Sequence, residues 1–236
     1  MKLSIVIPFF NEEGNIELVI REAVEVLSAI PCEYEILAFD DGSGDQTPAI
    51  LKKLSHQVKG LKVFTHPRNF GQGVCLWEGL SQAVGEVVVT MDGDGQNDFH
   101  DVQRMLPLLD RFDAILGQRI RRSDPLPKRV GTRIAFFFRR HVLGDTVRDT
   151  GCGLKIMRRK VIQYFIPFRS FHLFIPFMLA QAGVSFTTIN VNHRPRKEGR
   201  SKYSFRKLYF LPSTFDLFFM WRFKRINLYK FGSPKN

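Results

Sequence analysis

An acidic loop directly after a short apolar run most constrains what this chain can fold into. Residues 87–91 read Val-Val-Val-Thr-Met, and Asp92 and Asp94 follow with Gly93 between them and Gly95 after them. A run rich in β-branched residues that stops at glycines and carboxylates predicts a buried strand ending in a polar loop. Two hard oxygen ligands at a strand end suit Mg²⁺ or Mn²⁺ shared with substrate phosphates. We therefore expect the chemistry of this chain at this loop.

Strands and single helices alternate through the first hundred residues. Apolar runs predict strands at 2–9, 33–40 and 61–65 before the strand at 87–90, and helical periodicity or helix-start signals follow the first three. Such alternation predicts right-handed crossovers, an α/β fold class and a mostly parallel central sheet. Ligands of these sheets bind outside the carboxyl ends of the strands. The polar loops 11–15, 40–45 and 92–98 follow three of these strands, so one site can collect all three.

The pattern is less regular beyond residue 100. It predicts a helix at 101–109, a short strand at 113–117, a loop at 121–128, a helix from about 129 to 143, a glycine turn at 149–153, a strand at 184–191 and a basic loop at 194–207. Repeats, low-complexity segments and a clear linker are not evident.

Charge is distributed unevenly along the chain. Residues 1–100 carry 7 Lys and Arg against 15 Asp and Glu, whereas residues 101–236 carry 28 against 8. An acidic half beside a basic half indicates a divalent cation on one side and phosphates or an anionic surface on the other. Cys32, Cys75 and Cys152 are few and unclustered, which favours a reducing compartment and shows no zinc-type cysteine spacing.

Other interpretations of the acidic loop are less compatible with its neighbours. A turn with solvated carboxylates is the default for an isolated Asp-Xaa-Asp. An EF-hand starting at Asp92 would need glycine where Asn97 stands and a bidentate glutamate where Gln103 stands. A dinucleotide-binding turn at residues 71–76 would need glycine where Leu76 stands.

Four segments together carry a family resemblance. They are residues 4–12 (Ser-Ile-Val-Ile-Pro-Phe-Phe-Asn-Glu), 40–43 (Asp-Asp-Gly-Ser), 91–96 (Met-Asp-Gly-Asp-Gly-Gln) and 199–203 (Gly-Arg-Ser-Lys-Tyr). In this order and spacing the chain resembles the inverting family 2 glycosyltransferases of GT-A fold, and within them the polyprenyl-phosphate, dolichol-phosphate mannosyltransferase-like branch. The resemblance implies a Rossmann-like GT-A nucleotide-diphospho-sugar transferase domain over residues 1–207 and a separate C-terminal segment over 208–236.

The resemblance also implies roles for individual residues. Those implied to bind the nucleotide sugar are Pro8, Asn11, Glu12, Asp40, Asp41, Asp92, Arg196 and Lys202. Those implied to bind metal are Asp92, Asp94 and Gln96. For Asp41, a turn-forming or helix-capping role is the alternative. Relatives often have alanine and leucine in place of Gly93 and Gly95, which predicts a looser loop here.

The acceptor side is implied in the same way. Residues implied to act in catalysis are Asp94, Asp149, Arg119 and Arg133, and those implied to bind the acceptor phosphate are Arg119, Arg129, Arg133 and Ser201. For Arg129 and Arg133 the alternative is a solvated basic helix face. Arg196, Ser201 and Lys202 match a mobile basic loop that closes over the diphosphate, although Glu198 stands where some relatives have arginine.

The expected activity follows from this family. It is inverting transfer of a sugar from a GDP- or UDP-linked donor to undecaprenyl or dolichyl phosphate, with Mg²⁺ or Mn²⁺. Because a lipid phosphate is already ionised, it can attack without a protein base, and catalysis becomes positioning and electrostatic stabilisation. One alternative is a saccharide or lipid-linked hydroxyl acceptor, which would need a base. Another is a non-catalytic basic module that binds membranes or nucleic acid; the intact motifs argue against it, and we expect no nucleic-acid partner.

Apolar segments in the second half predict contact with a membrane surface. None reaches the roughly 18–20 apolar residues of a spanning helix; residues 164–180 and 208–221 come nearest and contain Pro and charged residues. The chain has 23 Phe, many interleaved with Arg and Lys. We expect an amphipathic segment at 208–229 that lies on the cytoplasmic leaflet as a monotopic anchor. A small transmembrane partner or self-association of this segment is the alternative.

Overall fold

The computed structural model describes residues 1–119, 126–195 and 210–226; the side chains of 126–132, 135, 210–215 and 225–226 lie outside that description. The strands are β1 Lys2–Phe9, β2 Glu33–Asp40, β3 Leu61–Thr65, β4 Val87–Thr90, β5 Ala114–Arg119, β6 Lys155–Arg158 and β7 Phe186–Val191. The helices are α1 Ile16–Ser28, α2 Thr47–Ser55, α3 Gln72–Gln82, α4 Asp101–Met105, α5 Leu126–Leu143, α6 Ile175–Gln181 and α7 Phe210–Ile226.

The seven strands form one sheet in the order β3-β2-β1-β4-β6-β5-β7. Strand β1 pairs in parallel with β2 and β4, and β5 pairs in parallel with β7. Strand β6 is antiparallel to both β4 and β5. The expected α/β class with a mostly parallel sheet is therefore confirmed, and the loops after β1, β2 and β4 emerge at one edge.

Strand β6 was not predicted. Its four residues, Lys-Ile-Met-Arg, begin and end with a cation, so the segment lacks the apolar run that marks the other central strands. Lys155 is nevertheless buried. Pairing with β4 on one side and β5 on the other supplies the hydrogen bonds that make this short segment a strand.

Two apolar layers cover the sheet. Alternation along β1 sends Leu3, Ile5 and Ile7 to one face, where α1 and α2 pack, and Val6 to the other, where α3 and α6 pack. Met220 of α7 is also buried in the second layer. The apolar periodicity of residues 16–27, which predicted the first helix, corresponds to the buried side of α1.

Some helix boundaries differ from those predicted. Helix α5 begins at Leu126 rather than near Arg129. The helix predicted at 101–109 is α4 followed by a 3₁₀ helix, Leu106–Asp110, because Pro107 removes a backbone donor there. Among the described residues, no helix has the length and apolar character needed to cross a membrane.

The described part of the predicted C-terminal segment forms α7. It packs against α5, where Lys224 Nζ donates to the Leu143 carbonyl at 3.0 Å. In a second contact, outside α5, the ring centroids of Phe219 and Phe168 lie 5.7 Å apart. Met220 is buried whereas Phe218 and Phe219 are exposed, so apolar side chains point both inward and outward. The boundary at 207/208 stays a prediction, because residues 196–209 lie outside the described part.

Glu35 provides a test of how the sheet is stabilised. Its carboxylate is buried and accepts hydrogen bonds from Ser4 Oγ at 2.6 Å, Lys62 Nζ at 2.8 Å and the Val84 amide at 2.9 Å. Burial alone would raise the pKa of Glu35, but the hydrogen bonds from Lys62, Ser4 and Val84 outweigh it and lower that pKa. The carboxylate therefore connects three neighbouring strands and the turn before β4.

We expect Glu35→Gln to lower the free energy of unfolding by about 1.5–3 kcal/mol at neutral pH, because charge-assisted hydrogen bonds are lost. A depressed folded-state pKa contributes stability above the unfolded pKa of about 4.3, and that contribution is lost as the pH falls through the folded value. The difference between variant and wild type should therefore shrink in acid. Urea denaturation at neutral pH and near pH 3.5 measures it; the exposed Glu33→Gln should change stability by less than about 0.5 kcal/mol.

Candidate active site

Side-chain hydrogen bonds hold the loop after β1 against the loop after β2. Asn11 accepts from the Gly44 amide at 2.8 Å through Oδ1 and donates its own amide to Ser43 Oγ at 2.9 Å. Asn11 has a φ of 50°, a left-handed conformation that asparagine tolerates better than most residues. Glu12 is buried; its amide donates to Thr47 Oγ1 at 2.9 Å and its carboxylate accepts from Asn15 at 2.7 Å. These contacts shape the loop backbone.

Asp40 ends β2 and is completely buried. Its Oδ1 accepts a hydrogen bond from the Ser43 amide at 3.1 Å. Its Oδ2 is also buried, and it has no hydrogen-bond partner among the residues that the structure describes. An unpaired buried acceptor costs free energy, so this atom fits a ligand that supplies an N–H or O–H group.

Asp41 organises the segment after β3. Its carboxylate accepts from Asn69 Nδ2 at 2.8 Å, from the Phe70 amide at 2.9 Å and from the Gly71 amide at 2.8 Å, and it pairs with His66 Nδ1 at 3.1 Å. These contacts correspond to the turn-forming alternative considered for Asp41. A direct contact of Asp41 with a nucleotide stays a prediction.

Asp92 lies where β4 ends and is held from three sides. Gln72 Nε2 donates to Asp92 Oδ1 at 2.6 Å, and the backbone amide of Asp92 donates to Asn97 Oδ1 at 3.1 Å. On the third side Gly153 approaches so closely that a Cβ there would overlap the Asp92 carboxylate. Burial, followed by the negative charge of Asp94, raises the pKa of Asp92 to about 6. The two carboxylates therefore form a region of excess negative charge.

The rest of this loop is joined to the segment after β7. The Gln96 amide donates to Asp94 Oδ1 at 3.1 Å. The Arg194 amide donates to the Gln96 carbonyl at 2.8 Å, and Gln96 Nε2 donates back to the Arg194 carbonyl at 3.2 Å. A short antiparallel bridge joins Asn97 to His193. The chain therefore reaches residue 195 beside the Asp92–Gln96 loop.

Two cations on the neighbouring strands face these carboxylates. Arg119, the last residue of β5, pairs with Asp149 through Nε and Nη2, both at 2.7 Å, and its amide also contacts Asp149 at 3.2 Å. Lys155, the first residue of β6, is buried and donates to the Cys152 carbonyl. The charges of Lys155 and Arg119 both act to lower the pKa of Asp92. Arg119 and Asp149 were predicted; Lys155 was not.

Not every predicted residue reaches this centre. Pro8 lies in β1, and its carbonyl would be 2.6 Å from a Cβ at Gly93, so it contacts the acidic loop through its backbone. Arg133 is exposed on α5. Arg129 is on the same helix at a position whose side chain is not described. Arg196, Ser201 and Lys202 lie outside the described residues, and their predicted roles stay predictions.

Three residues at the centre were not predicted as site residues. Gln72 and Gly153 contact Asp92, and Lys155 faces it. Gln72 and Gly153 are 20 and 61 residues away in the chain, so neither spacing nor periodicity relates them to the acidic loop. A Gly-Cys-Gly turn before an unpredicted strand was the only available indication of a close approach.

The donor atoms at Asp92 and Asp94 fit a hard divalent cation. Carboxylate oxygens are preferred ligands of Mg²⁺ and Mn²⁺. The groups of three or more His, Cys, Asp or Glu ligand atoms that converge within the described residues lie elsewhere, at Asp41, His66 and Cys75 and around Glu22. A cation at Asp92 and Asp94 would therefore complete its coordination with water, the Gln96 amide oxygen or substrate phosphate oxygens, as Mg²⁺ commonly does.

We expect Gly153→Ala to disrupt this arrangement, because the new methyl group would overlap the Asp92 carboxylate. A displacement of about 1 Å at an active site lowers the reaction rate on the order of 100-fold. Mn²⁺ binding in the presence of UDP, measured by calorimetry, should weaken by at least about tenfold. Gly151→Ala is the control, since its Cβ would meet the nearest atom at an ordinary 3.5 Å. Equal binding by the two variants would contradict a ligand role for Asp92.

Known proteins are similar to this chain in sequence. A family model described as glycosyl transferase family 2 matches residues 4–165. An undecaprenyl-phosphate 4-deoxy-4-formamido-L-arabinose transferase from Photorhabdus laumondii is 29% identical over 88% of this chain. A dodecaprenyl-phosphate galacturonate synthase from Rhizobium johnstonii is 30% identical over 99% of this chain and 71% of its own length. The chain covers 64% of the length of the arabinose transferase.

Solved structures show the same architecture at lower identity. Mannosyl-3-phosphoglycerate synthase from Rubrobacter xylanophilus superposes with a TM-score of 0.69 at 16% identity, covering 100% of this chain and 77% of that one. Glucosyl-3-phosphoglycerate synthase from Mycobacterium tuberculosis, solved with Mn²⁺ and uridine-diphosphate-glucose, gives 0.60 at 20% identity over 84% of this chain and 72% of that one. The resemblance inferred from the four motifs is confirmed: the chain has the GT-A fold and belongs to glycosyl transferase family 2.

Proposed function

We propose that this protein is an inverting glycosyltransferase that moves a sugar from a nucleotide-diphosphate donor to a polyprenyl phosphate. One observation carries the proposal: the buried Oδ2 of Asp40, which has no hydrogen-bond partner among the described residues, lies at the same sheet edge as the Asp92 and Asp94 carboxylates. Asp40 Oδ2 fits a hydrogen-bond donor on a nucleoside, and the Asp92 and Asp94 carboxylates fit a cation on the diphosphate of that nucleoside. Strand β1 lies between them and is paired with β2 on one side and with β4 on the other.

Asp92 and Asp94, with Gln96, would hold Mg²⁺ or Mn²⁺. When bound, such an ion supplies positive charge that stabilises the leaving diphosphate. The protein's part is to orient Asp92 for the ion. Gln72 donates a hydrogen bond to its carboxylate, and Asn97 accepts one from its backbone amide. The Mycobacterium tuberculosis neighbour, which was solved with Mn²⁺ and uridine-diphosphate-glucose, supports this choice of ion. GDP- and UDP-linked donors both fit the proposal.

Arg119 is the described residue best placed to bind the acceptor phosphate. Asp149 engages two of the five N–H groups that a guanidinium carries, so further donors remain for a phosphate oxygen. The ion pair also fixes the orientation of Arg119 towards Asp92, whose charge acts on it. Arg129, Arg133 and Ser201 complete the acceptor site that we propose, and Arg196 and Lys202 close over the diphosphate.

A phosphate acceptor fits the carboxylates of this centre. Asp92 and Asp94 are assigned to the cation in this proposal, and Asp149 is the remaining predicted catalytic carboxylate. Both of its oxygens accept hydrogen bonds from Arg119, so it is poorly placed to remove a proton from a hydroxyl group. An ionised phosphate needs no such step. The names of the two relatives, an undecaprenyl-phosphate and a dodecaprenyl-phosphate enzyme, support the same acceptor class.

A lipid acceptor requires access to a membrane surface. Helices α5 and α7, which pack together, expose the apolar side chains of Ile134, Phe137, Phe138, Phe218 and Phe219. Arg133, Arg140 and Arg222 are also exposed on these helices. Aromatic and basic side chains on one structural unit suit insertion among anionic headgroups. We propose that this unit docks the protein on the cytoplasmic leaflet, with a small transmembrane partner or self-association as further contributors.

Transfer of radiolabelled sugar to undecaprenyl phosphate tests the proposed reaction. Using a panel of GDP- and UDP-sugars with Mn²⁺, we expect a lipid-linked product with inverted anomeric configuration for one donor. Asp92→Asn should reduce kcat by at least roughly 100-fold, equivalent to about 2.7 kcal/mol of transition-state stabilisation. Asp110→Asn, an exposed carboxylate on the 3₁₀ helix, should change kcat by less than about twofold. Transfer to a saccharide hydroxyl without lipid phosphate would refute the acceptor assignment.

Vesicle co-sedimentation tests the membrane surface. We expect replacement of Phe137, Phe138, Phe218 and Phe219 by serine to reduce binding to vesicles containing anionic phospholipid by at least about tenfold, because each phenylalanine contributes apolar burial. The variant should still bind the water-soluble nucleotide of the donor.

The matched control replaces exposed apolar residues elsewhere. Leu18 and Phe70 are 36% and 37% exposed on other parts of the domain, and their replacement by serine should leave vesicle binding within about twofold. An equal loss of binding in both variants would contradict docking through α5 and α7.

A further inference from the structure

Three side chains of different chemistry converge behind the nucleotide-binding edge. Asp41 directly follows β2, His66 directly follows β3, and Cys75 lies in the first turn of α3. One ligand atom from each, a carboxylate oxygen, an imidazole nitrogen and a thiol sulfur, lies within 4.8 Å of the others. Asp41 and Cys75 are buried, and the His66 side chain is 10% exposed. The separations of 25 and 9 residues match no common metal-binding sequence pattern.

Two of the three distances between these ligand atoms are compatible with binding to one tetrahedral ion. His66 Nδ1 is 3.1 Å from Asp41 Oδ1 and 3.8 Å from Cys75 Sγ. With metal–oxygen and metal–nitrogen bonds of about 2.1 Å and a metal–sulfur bond of about 2.3 Å, tetrahedral geometry places nitrogen about 3.4 Å from oxygen and about 3.6 Å from sulfur. Each observed distance differs from that value by about 0.2–0.3 Å. These two pairs would need shifts of only that size to share an ion, and the ligand atoms of Asp41 and Cys75 lie within 4.8 Å of each other.

The surrounding hydrogen bonds orient these atoms towards one another. His66 Nε2 lies 2.9 Å from the Glu78 carboxylate, which leaves Nδ1 as the nitrogen that faces Asp41 and Cys75. Carboxylates commonly fix metal-binding histidines in this manner. Asp41 Oδ2 accepts from Asn69 Nδ2 and the Gly71 amide, so its other oxygen is directed to His66. Oδ1 accepts the Phe70 amide as well, and a carboxylate oxygen has lone pairs for both an N–H group and a metal.

We propose that Asp41, His66 and Cys75 form a second metal site, selective for a borderline-soft divalent ion of the Zn²⁺ class. A mixed oxygen, nitrogen and sulfur donor set favours Zn²⁺ or Co²⁺ over Mg²⁺, which prefers oxygen ligands and octahedral geometry. Three protein ligands leave one tetrahedral position for water. A bound ion would join the end of β2, the segment after β3 and the start of α3. The site is chemically distinct from the oxygen donors of Asp92 and Asp94.

The other converging group does not share these properties. Glu22, Asp98 and His100 also bring three ligand atoms together, but Arg194 donates to Glu22 and pairs with Asp98 at 2.7 Å. A guanidinium therefore already supplies the positive charge there. At the Asp41 cluster, by contrast, no Lys or Arg among the described residues forms an ion pair with Asp41, whose carboxylate contacts His66, Asn69 and backbone amides.

Cobalt spectroscopy on the whole chain tests the proposal. After treatment with a chelator, we expect one equivalent of Co²⁺ to give thiolate charge-transfer absorption in the near ultraviolet and to lose it on addition of Zn²⁺. An approximately 100-fold excess of Mg²⁺ should leave the absorption unchanged. Cys75→Ser should abolish the charge-transfer band, whereas Cys32→Ser and Cys152→Ser should retain it. Cys152 is the informative control because it lies near the Asp92 site.

X-ray absorption of the Zn²⁺-loaded wild type keeps the test independent of how the variants fold. One sulfur scatterer at about 2.3 Å is expected. Absence of a sulfur scatterer and of the charge-transfer band in the wild type overturns the proposal. So does a band that persists in a folded Cys75→Ser variant or disappears in Cys152→Ser. None of these readouts depends on sugar transfer, so failure here and failure of the proposed reaction are distinguishable.

Discussion

The parallel pairing of β1 with β2 on one side and β4 on the other is the constraint on which the rest of the structure depends. Because the three strands run in the same direction, the loops that follow them emerge at one edge of the sheet. Those loops contain Asp40, Asp92 and Asp94, and the result is a concentration of negative charge in a partly buried place. Such a concentration needs compensating cations, from the protein or from a ligand.

The protein supplies part of this compensation from the other half of the sheet. Arg119 at the end of β5 and Lys155 at the start of β6 face Asp92. Lys155 can do so because β6 runs antiparallel to β4, with Thr90 paired to Lys155 in register. The same reversal brings Gly153 against the Asp92 carboxylate, where only glycine leaves enough room. The one strand that breaks the parallel pattern therefore completes the centre that the parallel strands create.

Hydrogen bonds across the loops connect the segments at this edge. Asp41 fixes the segment after β3, that segment leads into α3, and Gln72 at the start of α3 donates to Asp92. The end of β2 and the acidic loop are thus connected through a short chain of side-chain contacts. In the transfer that we propose, preorganisation of this kind would lower the reorganisation needed when charge develops on the leaving diphosphate. A metal at Asp41, His66 and Cys75 would act on the first member of that chain.

The sequence by itself determined the fold class, the first four strands and the family, and it predicted roles for Asp40, Asp92 and Asp94, because period-two and 3.6-residue patterns and short motifs are local properties. It did not indicate β6, Gln72, Gly153, Lys155 or the convergence of Asp41 with His66 and Cys75. These depend on pairing and close approach between segments far apart in the chain, which no local pattern encodes. Only the tertiary structure decided them. The charged segment 155–158 becomes a strand because β4 and β5 pair with it on both sides. The same pairing buries Lys155, which then acts as a counter-charge to Asp92.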